Sequence, residues 1–134
     1  MNCDSILVDA SAVLAVILEE PEKAGILEAT AGSEAKAPGC LRWEVGNAFS
    51  AMVKRGRLAE SESIAALKIF ETIPVQEVDV DLEGALALAM KHQIYAYDAY
   101  YLMAARNHRV ALLTLDGKMR DVARTEGINL KEIQ

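Results

Sequence analysis

Four acidic residues occupy positions from which they could build one metal site. Asp9 closes the apolar run Ile6–Val8, and Asp116 closes the largely apolar run Val110–Leu115. Short apolar runs of this kind predict buried strands, and open α/β sheets place their ligand crevice at the carboxyl ends of the strands. The two acids are therefore expected at one edge of the sheet, where their oxygens would suit a hard divalent cation.

The other two acids are predicted on helices. At helical pitch Glu44 shares a face with Leu41 and Ala48. Asp98 lies within Tyr97–Leu102, where its neighbours are aromatic and aliphatic residues. A carboxylate that points toward apolar neighbours needs a partner for its charge. If the four acids converge, they raise each other's pKa unless a cation neutralises them, and a divalent ion with oxygen ligands is the natural candidate.

Each aspartate also has a simpler interpretation. Asp9 and Asp98 could cap the helices that follow them, and Asp116 with Gly117 could form a turn. Taken singly, these local roles are the better interpretation. Glu44 has no such explanation, because an acid in the middle of a helix caps nothing. The coincidence of four such positions favours a shared site.

Short apolar strands alternate with amphipathic helices along the chain, which predicts an α/β fold with a parallel sheet flanked by helices. No repeat or long linker interrupts this pattern, so residues 1–134 are expected to form a single domain with four to five strands. Proline cannot donate to a strand ladder, and the strand that contains Pro38 is therefore expected at an edge. The predicted strands are Ser5–Val8, Ala35–Pro38, Pro74–Val80, Val110–Leu115 and an extended piece at Ile128–Lys131. The predicted helices are Ser11–Glu20, Glu22–Ala31, Leu41–Arg55, Ser61–Thr72, Leu82–His92, Asp98–Asn107 and Lys118–Glu126.

Charge and composition limit the classes of protein to which this chain could belong. The net charge of −6 argues against binding nucleic acid by bulk electrostatics, so any contact with a phosphate backbone must be local. The longest apolar run, Ala12–Leu18, is too short for a bilayer, and the opening residues lack the basic region of a signal peptide. A cytoplasmic protein is therefore expected. Cys3 and Cys40 lack CxxC spacing and are expected to be buried free thiols.

Each of the four acids lies in a short motif, and these motifs are Leu7–Leu14, Glu44–Ala48, Tyr97–Ala105 and Leu113–Met119. In this order and at this spacing they resemble the acidic motifs of the PIN-domain ribonucleases, and within that family the VapC-type toxins of bacterial and archaeal toxin–antitoxin pairs. The resemblance covers nearly the whole chain, and the ordered set of four is specific although each motif alone is weak. Met119 departs from the aromatic residue or leucine of many relatives, which concerns packing.

The resemblance implies an endoribonuclease that uses Mg²⁺ or Mn²⁺, through one or two ions, and leaves a 5′-phosphate and a 3′-hydroxyl on RNA. The residues implied as catalytic, and as direct or water-mediated metal ligands, are Asp9, Glu44, Asp98 and Asp116. The implied partners are a second copy of the chain and a cognate antitoxin, whose amphipathic helix fills a groove and whose tail places a basic side chain against the acids. The apolar residues expected to line that groove, or else to be buried between helices, are Val13, Leu14, Val16, Ile17, Leu18, Ile26 and Leu27.

Several residues near the acids are secondary candidates. The hydroxyls of Ser11 and Thr114 could bind a metal-bound water or a phosphate, or could equally serve as local caps. Asn47, one turn after Glu44, could orient that carboxylate or a water of the ion. The tyrosines that could stack on bases, or more commonly belong to the core and to interfaces, are Tyr95, Tyr97, Tyr100 and Tyr101.

Proteins of other classes fit the pattern less well. A phosphoacceptor domain needs an acidic pair after the first strand, and Asp9 has no acidic neighbour. A haloacid-type phosphatase needs Asp-x-Asp there, but Ser11 occupies the second position. Two alternatives stay open, a catalytically silent PIN-like interaction module and a housekeeping nuclease that is not a toxin. The presence of all four acids argues against the silent module.

Overall fold

The computed structural model describes residues 4–133, which form four strands and seven helices. The strands are β1 (Ser5–Val8), β2 (Glu34–Pro38), β3 (Val75–Val78) and β4 (Ala111–Leu113). The helices are α1 (Ala10–Ile17), α2 (Lys23–Thr30), α3 (Cys40–Lys54), α4 (Glu60–Thr72), α5 (Leu82–His92), α6 (Ala96–His108) and α7 (Gly117–Glu126). Within residues 4–133 no helix has the length and apolar character needed to cross a membrane.

The four strands form one parallel sheet in the order β3-β2-β1-β4. Leu7 of the interior strand β1 lies opposite Lys36 of β2 and opposite Leu112 of β4. Parallel neighbours require crossover connections, and the helices between the strands provide them. The predicted single α/β domain with a parallel sheet is confirmed. The extended piece predicted at Ile128–Lys131 contributes only one bridge, between Leu130 and Leu112, at the β4 edge.

The prediction that Ala35–Pro38 is an edge strand is wrong. β2 lies inside the sheet between β1 and β3, and the two edges are β3 and β4. β2 pairs with β1 only over Glu34–Lys36, whereas Pro38 is the last residue of the strand. Pro38 is still aligned with Val78 of β3, but the ladder to β1 has already ended, so the interior strand has lost its neighbour on that side at the proline.

The first helix is shorter than predicted. It ends at Ile17, and Glu19 adopts a left-handed backbone conformation with a φ of 56°. This conformation interrupts the helix before Pro21 would do so. At its start, the Asp9 carboxylate accepts a hydrogen bond from the Ala12 N–H at 3.0 Å, so Asp9 caps α1.

Helix α6 connects the sheet to the rest of the core. It contacts β1, β2 and β4, and it also packs against α5, while α1 packs against α2, α3 and α4. Five consecutive residues of α6, Tyr101–Ala105, are buried. Full burial of one large apolar side chain stabilises a fold by about 1.5–3 kcal/mol, so this helix is firmly held. Its first turn, which carries Asp98, is positioned by that packing.

An ion-pair cluster joins the last turns of α5, α6 and α7. Glu126 accepts hydrogen bonds from Lys91 Nζ at 2.8 Å and from Arg106 Nη2 at 2.9 Å, and its Oε2 lies 2.7 Å from His92 Nε2. The Glu126 side chain is only 10% exposed. Hydrogen bonds from Lys91, His92 and Arg106 lower the pKa of Glu126 to about 2. One carboxylate therefore holds three helix ends together.

We expect Glu126→Gln to lower the free energy of unfolding at pH 7 by about 1–2 kcal/mol, because it removes the charge that three donors share. The folded-state pKa of Glu126 lies below its ordinary value of 4.5, so its stabilisation is present above pH 4.5 and is lost as the pH falls toward 2. Urea denaturation at several pH values measures both effects. Glu19→Gln, which removes an exposed pair with Lys23, is the matched control, and equal losses in the two variants would contradict the prediction.

Candidate metal centre

Asp9 is held at the carboxyl end of β1 by hydrogen bonds from three directions. It is 3% exposed and accepts from the Ser11 hydroxyl at 2.7 Å, from the Thr114 hydroxyl at 2.5 Å and from the Ala12 N–H at 3.0 Å. Charge-assisted bonds of this kind are stronger than neutral ones. The carboxylate has a defined orientation, and its local role as a cap coexists with its place in the acidic cluster.

The two hydroxyls also connect β1 to the segment after β4. Ser11 Oγ accepts from the Leu115 N–H at 2.9 Å, and Thr114 Oγ1 accepts from the Asp116 N–H at 3.0 Å. The Thr114 side chain is buried, whereas Ser11 is half-buried. Both hydroxyls donate to Asp9, so the structure shows them orienting that carboxylate, a role the sequence did not suggest for either of them.

Asp116 begins the last helix and lies across the sheet edge from Asp9. It is exposed, and its carboxylate accepts from the Met119 N–H at 2.9 Å as the N-cap of α7. β4 ends at Leu113, so Asp116 follows the strand after a short turn instead of closing it directly. The strands place both acids at the same edge of the sheet, as expected from their parallel order.

Asp98 is not the helix cap that one interpretation of the sequence suggested. The N-cap of α6 is Tyr95, the helix begins at Ala96, and Asp98 is the third residue of its first turn. There the carboxylate is half-buried and benefits from the positive end of the helix dipole. Asp98 therefore faces the cluster from the start of α6.

Glu44 reaches the cluster from the middle of α3. It is half-buried, and its Oε1 is buried without a hydrogen-bond partner within the described residues. A buried polar atom left in this way costs about 1–3 kcal/mol unless something satisfies it. Asn47, one turn further along α3, is exposed, and its suggested role beside Glu44 stays a prediction.

Asp9, Glu44 and Asp98 have raised pKa values, and the charge of another acid of the group contributes to each rise. Burial raises the pKa of Asp9, Glu44 and Asp98, and in each case it is the largest cause. The negative charge of Asp116 further raises the pKa of Asp9 and Asp98, and the charge of Asp98 raises that of Glu44. The four residues chosen from the sequence are therefore neighbours in the fold.

The cluster is not a closed cage of ligands. Among residues 4–133 no three His, Cys, Asp or Glu side chains stand close enough together to grip an ion directly. Mg²⁺ keeps several of its waters and takes only one or two carboxylates directly, so an open arrangement of oxygen donors suits it. The unpartnered Glu44 Oε1 and the raised pKa values both mark a site that a cation would complete.

Sequence reasoning missed two residues that lie beside Glu44. Cys40 is one turn before Glu44 on α3, so helical spacing could have found it. Tyr101 lies on α6, and its approach to Glu44 depends on how the two helices cross. The buried Tyr101 hydroxyl lies near enough to lower the pKa of Glu44, although its geometry falls short of a hydrogen bond. Burial, together with the Glu44 charge, raises the pKa of the free Cys40 thiol to about 11. Cys40 is half-buried, and Cys3 lies outside the described residues.

Comparison with known proteins identifies the family. The model of the PIN domain matches residues 6–125. Ribonuclease VapC3 of Pyrobaculum aerophilum is 31% identical over 121 residues, which are 87% of this chain and 92% of that protein. This chain belongs to the PIN-domain ribonucleases of the VapC type. The four acidic motifs that resembled this family therefore sit in a genuine PIN domain.

Solved structures share the PIN fold at low sequence identity. PAE2754 from Pyrobaculum aerophilum has a TM-score of 0.71 and 21% identity, with 89% of this chain and 84% of that chain covered. VapBC2 from Rickettsia felis, solved bound to a DNA fragment from its promoter, has a TM-score of 0.70 and 14% identity, covering 97% and 99% of the two chains. At these low identities, both similarities show only that the architecture of the PIN domain is shared.

Without metal, the acids of the PIN domain should work against its stability at neutral pH. The folded-state pKa values of Asp9 and Asp98 are raised above 3.8, and that of Glu44 above 4.5. The stabilisation that comes from protonating them is complete below those unfolded values and is lost as the pH rises through the folded ones. The metal-free protein should therefore gain stability from these three residues as the pH falls from 7 toward their raised pKa values.

Asp98→Asn tests this repulsion directly. We expect it to raise the melting temperature of the metal-free protein at pH 7 by a few degrees, since it removes one of the repelling charges. Adding Mn²⁺ should stabilise the unmutated protein and should stabilise the variant much less. Differential scanning calorimetry with and without EDTA measures both shifts. Asp121→Asn, on the exposed side of α7, should leave both unchanged, and an equal Mn²⁺ shift in Asp98→Asn would contradict the prediction.

Proposed function

We propose that this chain is a divalent-metal-dependent endoribonuclease and the toxin of a type II toxin–antitoxin pair. The observation that carries the proposal is the convergence of four acids at one edge of a PIN-domain sheet, with Asp9 buried and oriented and with Glu44 Oε1 left without a partner. Such desolvated acids lower the stability of the fold, and groups of this kind are concentrated at functional sites, where their chemical role is the reason for keeping them. Hydrolysis of an RNA phosphodiester in the cytoplasm would supply that reason.

The donor set fits Mg²⁺ or Mn²⁺. All candidate ligands are carboxylates, the hard oxygen donors that these ions prefer. The residues that would hold the metal, directly or through its waters, are Asp9, Glu44, Asp98 and Asp116. When bound, the ion neutralises the acids, makes nearby water more acidic and stabilises negative charge on the phosphate.

The protein's own residues would supply orientation and proton transfer. Ser11 and Thr114 keep Asp9 in one orientation. Asp98 is half-buried and has a raised pKa, which makes it a better proton acceptor than an ordinary aspartate. In the hydrolysis a water oxygen bonds to phosphorus and its proton passes to a carboxylate. The bond from phosphorus to the 3′-oxygen breaks, and the released 3′-oxygen takes up a proton from solvent. The products are a 5′-phosphate and a 3′-hydroxyl.

Cleavage of a labelled pool of structured RNA by purified protein tests the activity. With Mg²⁺ or Mn²⁺ we expect cutting that EDTA stops, and we expect Asp9→Asn and Asp98→Asn each to lower the rate about a hundredfold or more. Asp121→Asn, an exposed acid of α7, is the matched control and should cut normally. Equal cutting by every sample would indicate a contaminant. A folded, inhibitor-free protein that never cuts would favour the silent interaction module.

An apolar groove between α1, α2 and β3 favours a protein partner. Its cavity of about 150 Å³ is almost wholly apolar, and Leu27 at its border is 50% exposed. The predicted groove residues that line it are Val13, Val16, Ile26 and Leu27. Amphipathic helices dock into grooves of this kind. We assign it to the helix of a cognate antitoxin, whose tail would bring a basic side chain to the acids, and the VapBC2 similarity supports such a partner.

Leu27→Asp should weaken antitoxin binding at least tenfold, because it places a charge in an apolar contact. The partner to use is the cognate antitoxin, identified as a small protein that co-purifies with this chain and then titrated by calorimetry. Ile64→Asp, at a similarly exposed apolar position on α4, is the control. Equal affinity of both variants for that partner would contradict the assignment of the groove.

A strip of exposed apolar residues along α5 suggests a homodimer. Leu82, Leu86 and Met90 recur at every fourth residue of α5 and are 54–67% exposed. Such a strip on a helix is typical of an interface. Light scattering of the purified protein should give twice the chain mass of 14.5 kDa, and Leu86→Asp should return it to the monomer. A monomeric unmutated protein would contradict this proposal.

A further inference from the structure

Each of the two helix-borne acids directly follows an exposed aromatic residue. Trp43 precedes Glu44 on α3 and is 68% exposed, and Tyr97 precedes Asp98 on α6 and is 52% exposed. Aromatic side chains normally bury most of their large apolar surface. Consecutive Cα atoms are about 3.8 Å apart, so both rings begin within a nucleotide's length of a site carboxylate.

The exposed surface of α3 is continuous from Trp43 to the acidic cluster. Trp43 and Asn47 are four residues apart, and Asn47 and Glu44 are three residues apart, which makes each pair neighbours on a helix surface. Asn47 is exposed as well. The Arg42 guanidinium lies over the Trp43 ring, 5.2 Å from its centroid, and places a positive charge at this surface.

Tyr97 is held in place by a second ring. The Tyr97 and Tyr100 rings meet at right angles, with their centroids 5.8 Å apart and an interplanar angle of 89°. This edge contact is a favourable aromatic geometry. It restrains Tyr97 while about half of the side chain still faces solvent, so ordering this ring on a ligand requires little further loss of conformational freedom.

The overall charge makes such rings useful to a ribonuclease. A chain with a net charge of −6 and an acidic site gains little from long-range attraction to RNA. Base stacking does not depend on net charge, tolerates any base, and improves affinity by about 5- to 150-fold per base. Stacking also requires that the base be unpaired.

We propose that Trp43 and Tyr97 are stacking faces for unpaired bases beside the phosphate that is cut, with Arg42 supporting the Trp43 ring. This proposal rests on the proposed nuclease function and specifies its substrate, which is RNA that is single-stranded at the point of cleavage. It gives Trp43 and Tyr97 a role in binding the bases, which is distinct from the role of the carboxylates at the phosphate.

Trp43 is the single tryptophan of the chain, so its fluorescence reports this contact directly. The probe is hexa-adenylate RNA, mixed with the intact protein in Mg²⁺ by stopped flow at concentrations up to about 1 mM. We expect rapid quenching before product forms, and much less quenching by a blunt, GC-rich RNA duplex that is long enough to stay paired at the assay temperature. Absence of quenching by hexa-adenylate, or equal quenching by the duplex, would overturn the proposal.

Steady-state kinetics on a single-stranded RNA separate stacking from a structural role. Trp43→Ala and Tyr97→Ala should each raise KM about tenfold while kcat changes little, and Trp43→Phe should restore most of the loss because it keeps a ring. Ile64→Ala, at an exposed apolar position on α4, should match the unmutated protein.

The outcomes distinguish the two proposals. Unchanged KM in both alanine variants, with normal cutting, would overturn the stacking faces and leave the nuclease standing. If Trp43→Ala instead changes the mass measured by light scattering without changing KM, Trp43 belongs to a protein interface and the stacking role is also overturned. An unmutated protein that cuts no RNA would count against the proposed function, whatever the fluorescence shows.

Discussion

The buried charge of Asp9 is the constraint on which the site and the centre of the sheet both depend. A carboxylate with 3% exposure loses its hydration, and the loss costs several kcal/mol unless hydrogen bonds replace it. Ser11, Thr114 and the Ala12 N–H replace it here. Since the two hydroxyls also accept backbone N–H groups after β4, the bonds that orient Asp9 also hold β1 and β4 in register.

Helix α6 lies between two opposite electrostatic environments. Its first turn presents Asp98 to a cluster of acids with raised pKa values, and its last turn presents Arg106 to Glu126, whose pKa is lowered to about 2. The buried stretch Tyr101–Ala105 connects the two ends. Packing and the Glu126 cluster stabilise the helix, and this stability allows its other end to carry an unfavourable charge. The unfavourable end is the one assigned to the proposed site, and strained or destabilised positions are common at enzyme sites.

The sequence predicted the parts of the site that depend on local rules. Asp9 and Asp116 follow strands, and the carboxyl ends of parallel strands share an edge, so their proximity could be inferred. The alternative in which Asp98 caps α6 is wrong, because the extended backbone of Tyr95 starts the helix earlier than the polar residue suggests. The contact of Tyr101 with Glu44 depends on how two helices cross, and a residue pattern within one helix carries no information about that crossing. The interior position of β2 likewise depends on strand order, which is set by distant pairing.

The link between Asp9 and Thr114 spans 105 positions of the chain, and this distance matters while the protein is being made. A ribosome must deliver β4 and the start of α7 before the acidic edge can close, because β1 otherwise lacks its neighbour on that side. The residues that line the apolar groove all lie between Val8 and Val75, in β1, α1, α2, β2 and β3 and just after α4. The surface assigned to the proposed antitoxin is thus translated before the surface assigned to the proposed cleavage.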